Sequence, residues 1–144
     1  MDTVLSGSLQ TILIVDDNPA VLKLVEEILS EAGYVTISAR CAEDALILAS
    51  TPAEIHLLLS DIDMPLMSGP ELGQEMKKRR PNIHVMLMSG GGPDGNLLVL
   101  NYGWAFIAKP FVGEKLVHMV KDVLESIDRS QLGGKEFDAR KDKA

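Results

Sequence analysis

Short apolar runs alternate with longer amphipathic segments along most of the chain. Five of the runs are apolar almost throughout and have the length of buried strands: residues 11–17, 34–38, 55–61, 83–89 and 105–108. Strands of this kind are typical of parallel sheets that are covered on both faces. The intervening segments have the apolar spacing of helices that bury one face. The pattern predicts an α/β protein, a (βα)5 unit with a doubly wound, parallel, five-stranded sheet.

Capping signals mark where the predicted helices begin and end. Asn18 suits the start of the first helix and Gly33 its end. Ser68 and Glu71 have the spacing of a capping box, which predicts the start of the third helix. The other predicted helices cover residues 42–50, about 96–102 and 113–127. The resulting organisation is an N-terminal extension at 1–10, one domain at 11–127 and a charged tail or linker at 128–144.

Polar residues stand at the ends of four of the five predicted strands. These residues are Asp16 and Asp17, Asp61, Ser89 and Lys109. Right-handed crossovers place the carboxyl ends of parallel strands along one edge of the sheet, where such sheets bind ligands. Three carboxylates in one cleft repel one another, and a few carboxylates completed by water suit Mg²⁺. A metal, a lysine and a hydroxyl around Asp61 indicate phosphoryl transfer, with Asp61 as the accepting nucleophile.

Composition and charge narrow the possible functions. The 144 residues carry a net charge of −7, and the tail, with five basic and four acidic residues, carries +1, so the rest carries −8. An acidic body binds a phosphate backbone poorly, and we expect no direct nucleic-acid binding. The apolar runs are far shorter than the roughly 18 residues of a membrane helix. The N-terminus lacks signal-peptide features, and Cys41 is the only cysteine. We therefore expect a cytoplasmic protein without a membrane partner.

The strand-end residues lie in motifs that resemble the receiver domain of two-component response regulators. The motifs are Asp16-Asp17, DIDMPLMSG beginning at Asp61, LMSG around Ser89 and FIAKPF at residues 106–111. They cover residues 11–127 in the order and spacing of that family. They look most like receivers at the C-termini of hybrid sensor kinases. The resemblance implies a flavodoxin-like sheet of strand order 2-1-3-4-5 with five helices.

The resemblance also implies an acceptor and a set of metal ligands. Asp61 would take a phosphoryl group from a sensor histidine kinase or a phosphotransfer domain. Asp17, Asp61 and the backbone carbonyl of Asp63 would ligate Mg²⁺, and Asp16 would act mainly through water. A receiver of this kind is not an enzyme toward other substrates, because it catalyses only its own phosphorylation and dephosphorylation.

A further set of residues would respond to the phosphoryl group in a member of this family. Ser89 and Lys109 would hold the phosphoryl oxygens, and a cis peptide bond before Pro110 would aim Lys109 inward. Ser89 and Phe106 would form the switch that alters the surface offered to an unknown downstream protein. The segment between Ser89 and Phe106 is short for the family, which predicts a short fourth helix.

Two other interpretations fit parts of the sequence. LLLSDIDMP also resembles the nucleophile motif of haloacid-dehalogenase phosphatases, with Asp61 as the nucleophile and Asp63 as the general acid. That motif normally ends the first strand rather than the third, and Pro65 stands where threonine or valine is expected. The third interpretation is a receiver-like scaffold that binds partners without being phosphorylated. The complete set of acids, serine and lysine at the strand ends counts against it.

Overall fold

The structure, a computed structural model, describes residues 9–90 and 102–133. Its five strands pair in parallel to form one sheet in the order β2-β1-β3-β4-β5. The strands are β1 (Thr11–Val15), β2 (Val35–Ala39), β3 (Leu57–Asp61), β4 (His84–Ser89) and β5 (Ala105–Ala108). The fold class and the strand order predicted from the sequence are confirmed.

Four helices lie within the described residues, namely α1 (Pro19–Glu31), α2 (Ala42–Ala49), α3 (Gly69–Arg79) and α4 (Gly113–Gly133). The Asn18 side chain caps α1 by accepting from two backbone amides, and Gly33 follows the helix with a φ of 101°. Both hydrogen bonds of the capping box between Ser68 and Glu71 are present. The predicted helix at 96–102 lies outside the described residues except for Tyr102, which is helical.

The last helix is longer than the sequence pattern predicts. Helix α4 continues to Gly133, so the backbone of residues 128–133, predicted as part of a tail, is helical. Residues 134–144 and residues 1–8 lie outside the described residues. No helix in the described ranges is both long and apolar enough to cross a membrane.

The sheet has an apolar core on each face. Alternate residues of the strands point to opposite sides, so that one core packs against α2 and α3 and the other against α1 and α4. β3 is central, and all five of its residues are buried. Burial of each leucine side chain contributes about 1.5–3 kcal/mol before the entropic cost of folding is subtracted. Asp61 is therefore the last residue of a strand that is buried along its whole length.

Candidate functional site

Three carboxylates meet at the carboxyl edge of the sheet. Asp16 and Asp17 directly follow β1, and Asp61 is the last residue of the neighbouring strand β3. Oxygen atoms of the three carboxylates lie within 4.8 Å of one another. Asp16 and Asp61 are only 1% and 6% exposed, whereas Asp17 is exposed to solvent. The expectation that parallel strands would bring these distant residues together is confirmed.

Lys109 supplies the positive charge in this cluster. Its Nζ donates to Asp16 Oδ2 and to Asp61 Oδ1, each at 3.0 Å. The residue directly follows β5, and its backbone N–H donates to the Ser89 carbonyl at 2.7 Å. The peptide bond between Lys109 and Pro110 is cis, as the family resemblance implies. Lys109 thus reaches across the end of β4 to join the two buried carboxylates.

Backbone contacts fix the position of the acidic side chains. The Asn18 N–H donates to Asp16 Oδ1 at 2.9 Å, and the buried Ser60 hydroxyl donates to the Asp61 carbonyl at 2.9 Å. Gly69, at the start of α3, lies so close to the Asp61 carbonyl that a Cβ atom at this position would overlap it. Neither Ser60 nor Gly69 was predicted as part of the site. Most residue types fit at the first position of a helix, so a glycine there indicates that another part of the backbone lies close by. This was the signal in the sequence that could have identified Gly69.

Burial and charge shift the proton affinities of Asp61 and Lys109. Burial raises the pKa of Asp61, the hydrogen bond from Lys109 opposes that effect, and the charge of Asp16 adds to it. Burial lowers the pKa of Lys109, but its hydrogen bonds to Asp61 and Asp16 outweigh this and leave the pKa raised. The two residues differ because Lys109 faces two carboxylates, whereas Asp61 shares a single lysine with Asp16. The lysine is therefore held in its charged form, while ionisation of Asp61 is opposed.

The donor set fits a divalent cation with oxygen ligands. Three carboxylates and one ammonium group leave two negative charges uncompensated in a partly buried cleft. Carboxylates at the rim of an open cleft, with water to complete the shell, match the preference of Mg²⁺. The exposed Asp17 is the carboxylate of the three that does not pair with Lys109. The side chain of Asp63 is exposed and lies outside this group.

The two predicted switch residues occupy neighbouring strands. Ser89 ends β4 and is 3% exposed, and it pairs in register with Ala108 of β5. Phe106 is half-buried on β5, beside Leu87, and packs against the core on the α2 and α3 face. Residues 91–101, which make up most of the segment between these two switch residues, lie outside the described residues.

Comparison with known proteins agrees with this geometry. A family model for the response regulator receiver domain matches residues 12–121. The sensor kinase CckA of Brucella abortus is 35% identical over 129 residues, which cover 88% of this chain and 14% of that protein. The nitrogen assimilation regulatory protein NtrX of Azorhizobium caulinodans is 35% identical over 122 residues, 81% of this chain and 26% of that protein.

One solved structure has the same fold over almost its whole length. The response regulator receiver domain protein (CheY-like) from Methanospirillum hungatei superposes with a TM-score of 0.77 and is 32% identical. The match covers 85% of this chain and 99% of that one. The chain spans about a quarter or less of the two curated relatives but nearly all of this isolated domain.

Proposed function

The chain belongs to the family of response regulator receiver domains, and from that membership we propose that Asp61 accepts a phosphoryl group in a two-component phosphorelay. The observation that carries this assignment is the position of Asp61 at the centre of the acidic edge. Its carboxylate is almost fully buried, lies beside Asp16 and Asp17, and is joined to Lys109 through Oδ1 at 3.0 Å. A nucleophile is most effective when its geometry is fixed before the reaction, and the backbone contacts of Asp61 provide this.

The donor is the phosphorylated histidine of a sensor kinase or of a phosphotransfer domain. Lys109 holds Oδ1 of Asp61, so we assign the attack on phosphorus to Oδ2. The new O–P bond forms as the P–N bond breaks, and its electron pair returns to the imidazole of the donor. The ammonium group of Lys109 and the hydroxyl of Ser89 are the side-chain donors that we assign to the phosphoryl oxygens.

Asp17, Asp61 and the backbone carbonyl of Asp63 are the direct ligands that we assign to Mg²⁺, with Asp16 acting mainly through water. When bound, the ion neutralises charge that develops on the transferring phosphoryl group. The excess of carboxylates over ammonium groups supports this assignment. The same excess makes the site unfavourable for an anionic phosphoryl donor until a cation lowers the repulsion.

The test is a direct measurement of phosphorylation. The protein is incubated with acetyl phosphate and Mg²⁺, and its intact mass is recorded before and after acid treatment. The unmodified chain should gain one acid-labile phosphoryl group, and Asp61→Asn should gain none. Asp63→Asn is the matched control, because its carboxylate is exposed and two residues away, and it should still be labelled. Equal labelling of the unmodified chain and Asp61→Asn would contradict the assignment.

The two other interpretations make different predictions in related assays. We propose that the chain turns over no added phosphate ester, whereas a haloacid-dehalogenase phosphatase would hydrolyse p-nitrophenyl phosphate continuously. The family match already places the chain among receiver domains rather than among those phosphatases. A scaffold that is never phosphorylated would show no mass change with any donor, even at a Mg²⁺ concentration that saturates the site.

We further propose the setting in which the domain acts. The relative CckA is named a sensor kinase, which supports a role as the receiver of a hybrid sensor kinase. The phosphoryl group comes from ATP-dependent kinases, so we place the domain in the cytoplasm. Its downstream partner is a protein that recognises the surface around Ser89 and Phe106. The charge of −7 argues against direct contact with nucleic acid.

A further inference from the structure

Ser60 is a polar residue at a position where its neighbours are apolar. It is fully buried on β3, directly before Asp61. Its register partners are Val15 of β1 and Leu87 of β4, and both belong to the apolar core that packs against α2 and α3. A serine in this core buries less apolar surface than a valine or leucine does, and its hydroxyl needs a hydrogen-bond partner. Packing alone therefore does not account for a serine here.

The hydroxyl of Ser60 holds the peptide unit that follows the proposed phosphoryl acceptor. It donates to the Asp61 carbonyl at 2.9 Å. The N–H of the same peptide unit belongs to Ile62 and donates to the Met88 carbonyl of β4, also at 2.9 Å. The register between β1 and β3 ends at Val15 and Ser60, so the Asp61 carbonyl lies one residue beyond the last pair of these strands. The serine hydroxyl thus supplies a hydrogen bond at the point where the ladder between β1 and β3 has stopped.

The next peptide unit of the chain is held as well. Its carbonyl belongs to Ile62 and accepts from the Gly69 N–H at 2.9 Å. Gly69 also lies directly against the Asp61 carbonyl, which a Cβ atom at this position would overlap. The two peptide units between Asp61 and Asp63 are therefore fixed by three hydrogen bonds. Of these three, the bond from Ser60 is the one made by a side chain, so a substitution can remove it.

These two peptide units set the spacing of two groups that we assign to the cation, namely the carboxylate of Asp61 and the backbone carbonyl of Asp63. The ψ torsion of Asp61 determines where the following backbone lies relative to that carboxylate. The hydrogen bond from Ser60 fixes this torsion, because it fixes the direction of the Asp61 carbonyl. Lys109 holds Asp61 Oδ1 at 3.0 Å, so the carboxylate has little freedom to follow a displaced backbone. The spacing of the two groups therefore depends on the Ser60 hydroxyl.

We propose that Ser60 is a positioning residue of the phosphorylation site, whose hydroxyl keeps the Asp61 carboxylate and the Asp63 carbonyl at the spacing that one cation requires. The inference rests on the proposed function of Asp61, and Ser60 acts through the backbone rather than on the phosphoryl group. Removing a group that orients a metal ligand typically lowers metal affinity or activity by roughly 10–100-fold. A serine that interrupts an apolar core suits this role, because functional sites are where proteins depart from the local pattern.

Calorimetric titration of the full-length protein with Mg²⁺ tests the positioning without any phosphoryl donor. Ser60→Ala should bind Mg²⁺ about tenfold more weakly than the unmodified protein. Ser60→Thr keeps the hydroxyl and should restore most of the affinity, and Ser60→Cys, with a weaker donor of similar size, should lie between the two. The matched control is Leu58→Val, which removes a methylene from the same core two residues earlier on β3 and should leave the affinity unchanged. Circular dichroism checks that each variant is folded.

A second measurement follows the rate of phosphorylation by acetyl phosphate at one fixed Mg²⁺ concentration. The rate should fall about tenfold in Ser60→Ala and return toward that of the unmodified protein in Ser60→Thr. An unmodified protein that binds Mg²⁺ but gains no phosphoryl group would contradict the proposed function alone, because the titration still tests Ser60.

Three results would overturn the role of Ser60. The first is a Ser60→Ala protein that binds Mg²⁺ as tightly as the unmodified protein. The second is an equal loss of affinity in the folded Ala, Thr and Cys variants, which would mean that the size of the side chain matters rather than its hydroxyl. The third is an equal loss in Leu58→Val, which would mean that any change in this core disturbs the site.

Discussion

At the scale of single residues, two adjacent aspartates of the site have opposite environments. Asp16 is buried, accepts from Lys109 and from the Asn18 amide, and has little freedom to move toward an ion. Asp17 is exposed at the rim of the cleft. The chain thus uses two neighbouring carboxylates differently: Asp16 holds the lysine in place, and Asp17 is free to ligate a cation from solvent.

This difference predicts the order of their effects on Mg²⁺ binding. Asp17→Ala should weaken Mg²⁺ binding by on the order of 1–3 kcal/mol, since it removes a direct charged ligand. Asp16→Ala should weaken it less, because the carboxylate lost there was already occupied by Lys109. Calorimetric titration of both variants with Mg²⁺ measures the two losses. The opposite order would mean that Asp16 is the direct ligand.

At the scale of secondary-structure elements, α3 begins in contact with the end of β3. Gly69→Ala should destabilise the protein by about 1–3 kcal/mol, because the new Cβ meets the backbone carbonyl of Asp61, which cannot rotate away. The control is Gly113→Ala, also at the first residue of a helix, where a Cβ would lie at an ordinary 3.5 Å from Ile28. Urea unfolding measures both. Equal unfolding free energies for the two variants would show that α3 can move away from the Asp61 carbonyl without loss of stability.

Strand β4 begins with His84, a histidine whose protonation the folded protein opposes. His84 Nε2 is buried and has no hydrogen-bond partner in the described part of the chain. Burial lowers the pKa of His84, and the nearby Lys77 and His56 lower it further. Because the folded pKa lies below the unfolded value of 6.5, the unfolded chain binds this proton first, and stability is lost as pH falls below that value.

His84→Gln should therefore lose less unfolding free energy than the unmodified protein between neutral and mildly acidic pH. The comparison variant is His118→Gln, which removes an exposed imidazole of α4 that lies 3.6 Å from Asp122. The slope should change more in His84→Gln than in this variant. Urea unfolding at a series of pH values measures how steeply the unfolding free energy falls with pH. Identical slopes for the unmodified protein and His84→Gln would show that His84 takes up a proton without unfolding, by turning toward solvent.

The strand ends could be predicted from the sequence because topology alone determines where they lie. Any parallel sheet in this order places Asp16, Asp61 and Lys109 at one edge, whatever the intervening residues are. The bridge from Lys109 to both carboxylates could not be predicted, since it depends on the distance between β1 and β3 and on the rotamer of the lysine. The extension of α4 to Gly133 was also missed, because the polar residues after 127 carry no apolar periodicity that distinguishes helix from tail.

At the scale of the whole molecule, the burial of Asp61 links the stability of the fold to the charge of the site. The folded-state pKa of Asp61 lies above its unfolded value of 3.8, with burial as the main cause. Ionised Asp61 is therefore less favourable in the folded protein than in the unfolded chain. This destabilisation is absent below the unfolded pKa and complete above the folded pKa, so it acts in full at neutral pH.

Removing the charge of Asp61 should consequently stabilise the protein when Mg²⁺ is absent. Asp61→Asn keeps the size of the side chain and an oxygen that can accept from Lys109, so its melting temperature in EDTA should exceed that of the unmodified protein. Mg²⁺ stabilises the folded state by binding to it, and this gain should shrink in Asp61→Asn, which has lost a ligand. Asp63→Asn should raise the melting temperature in EDTA less than Asp61→Asn does, because its exposed charge is the smallest of the causes that raise the pKa of Asp61. A lower melting temperature for Asp61→Asn in EDTA would instead mean that the ion pair with Lys109 outweighs the cost of burying the carboxylate.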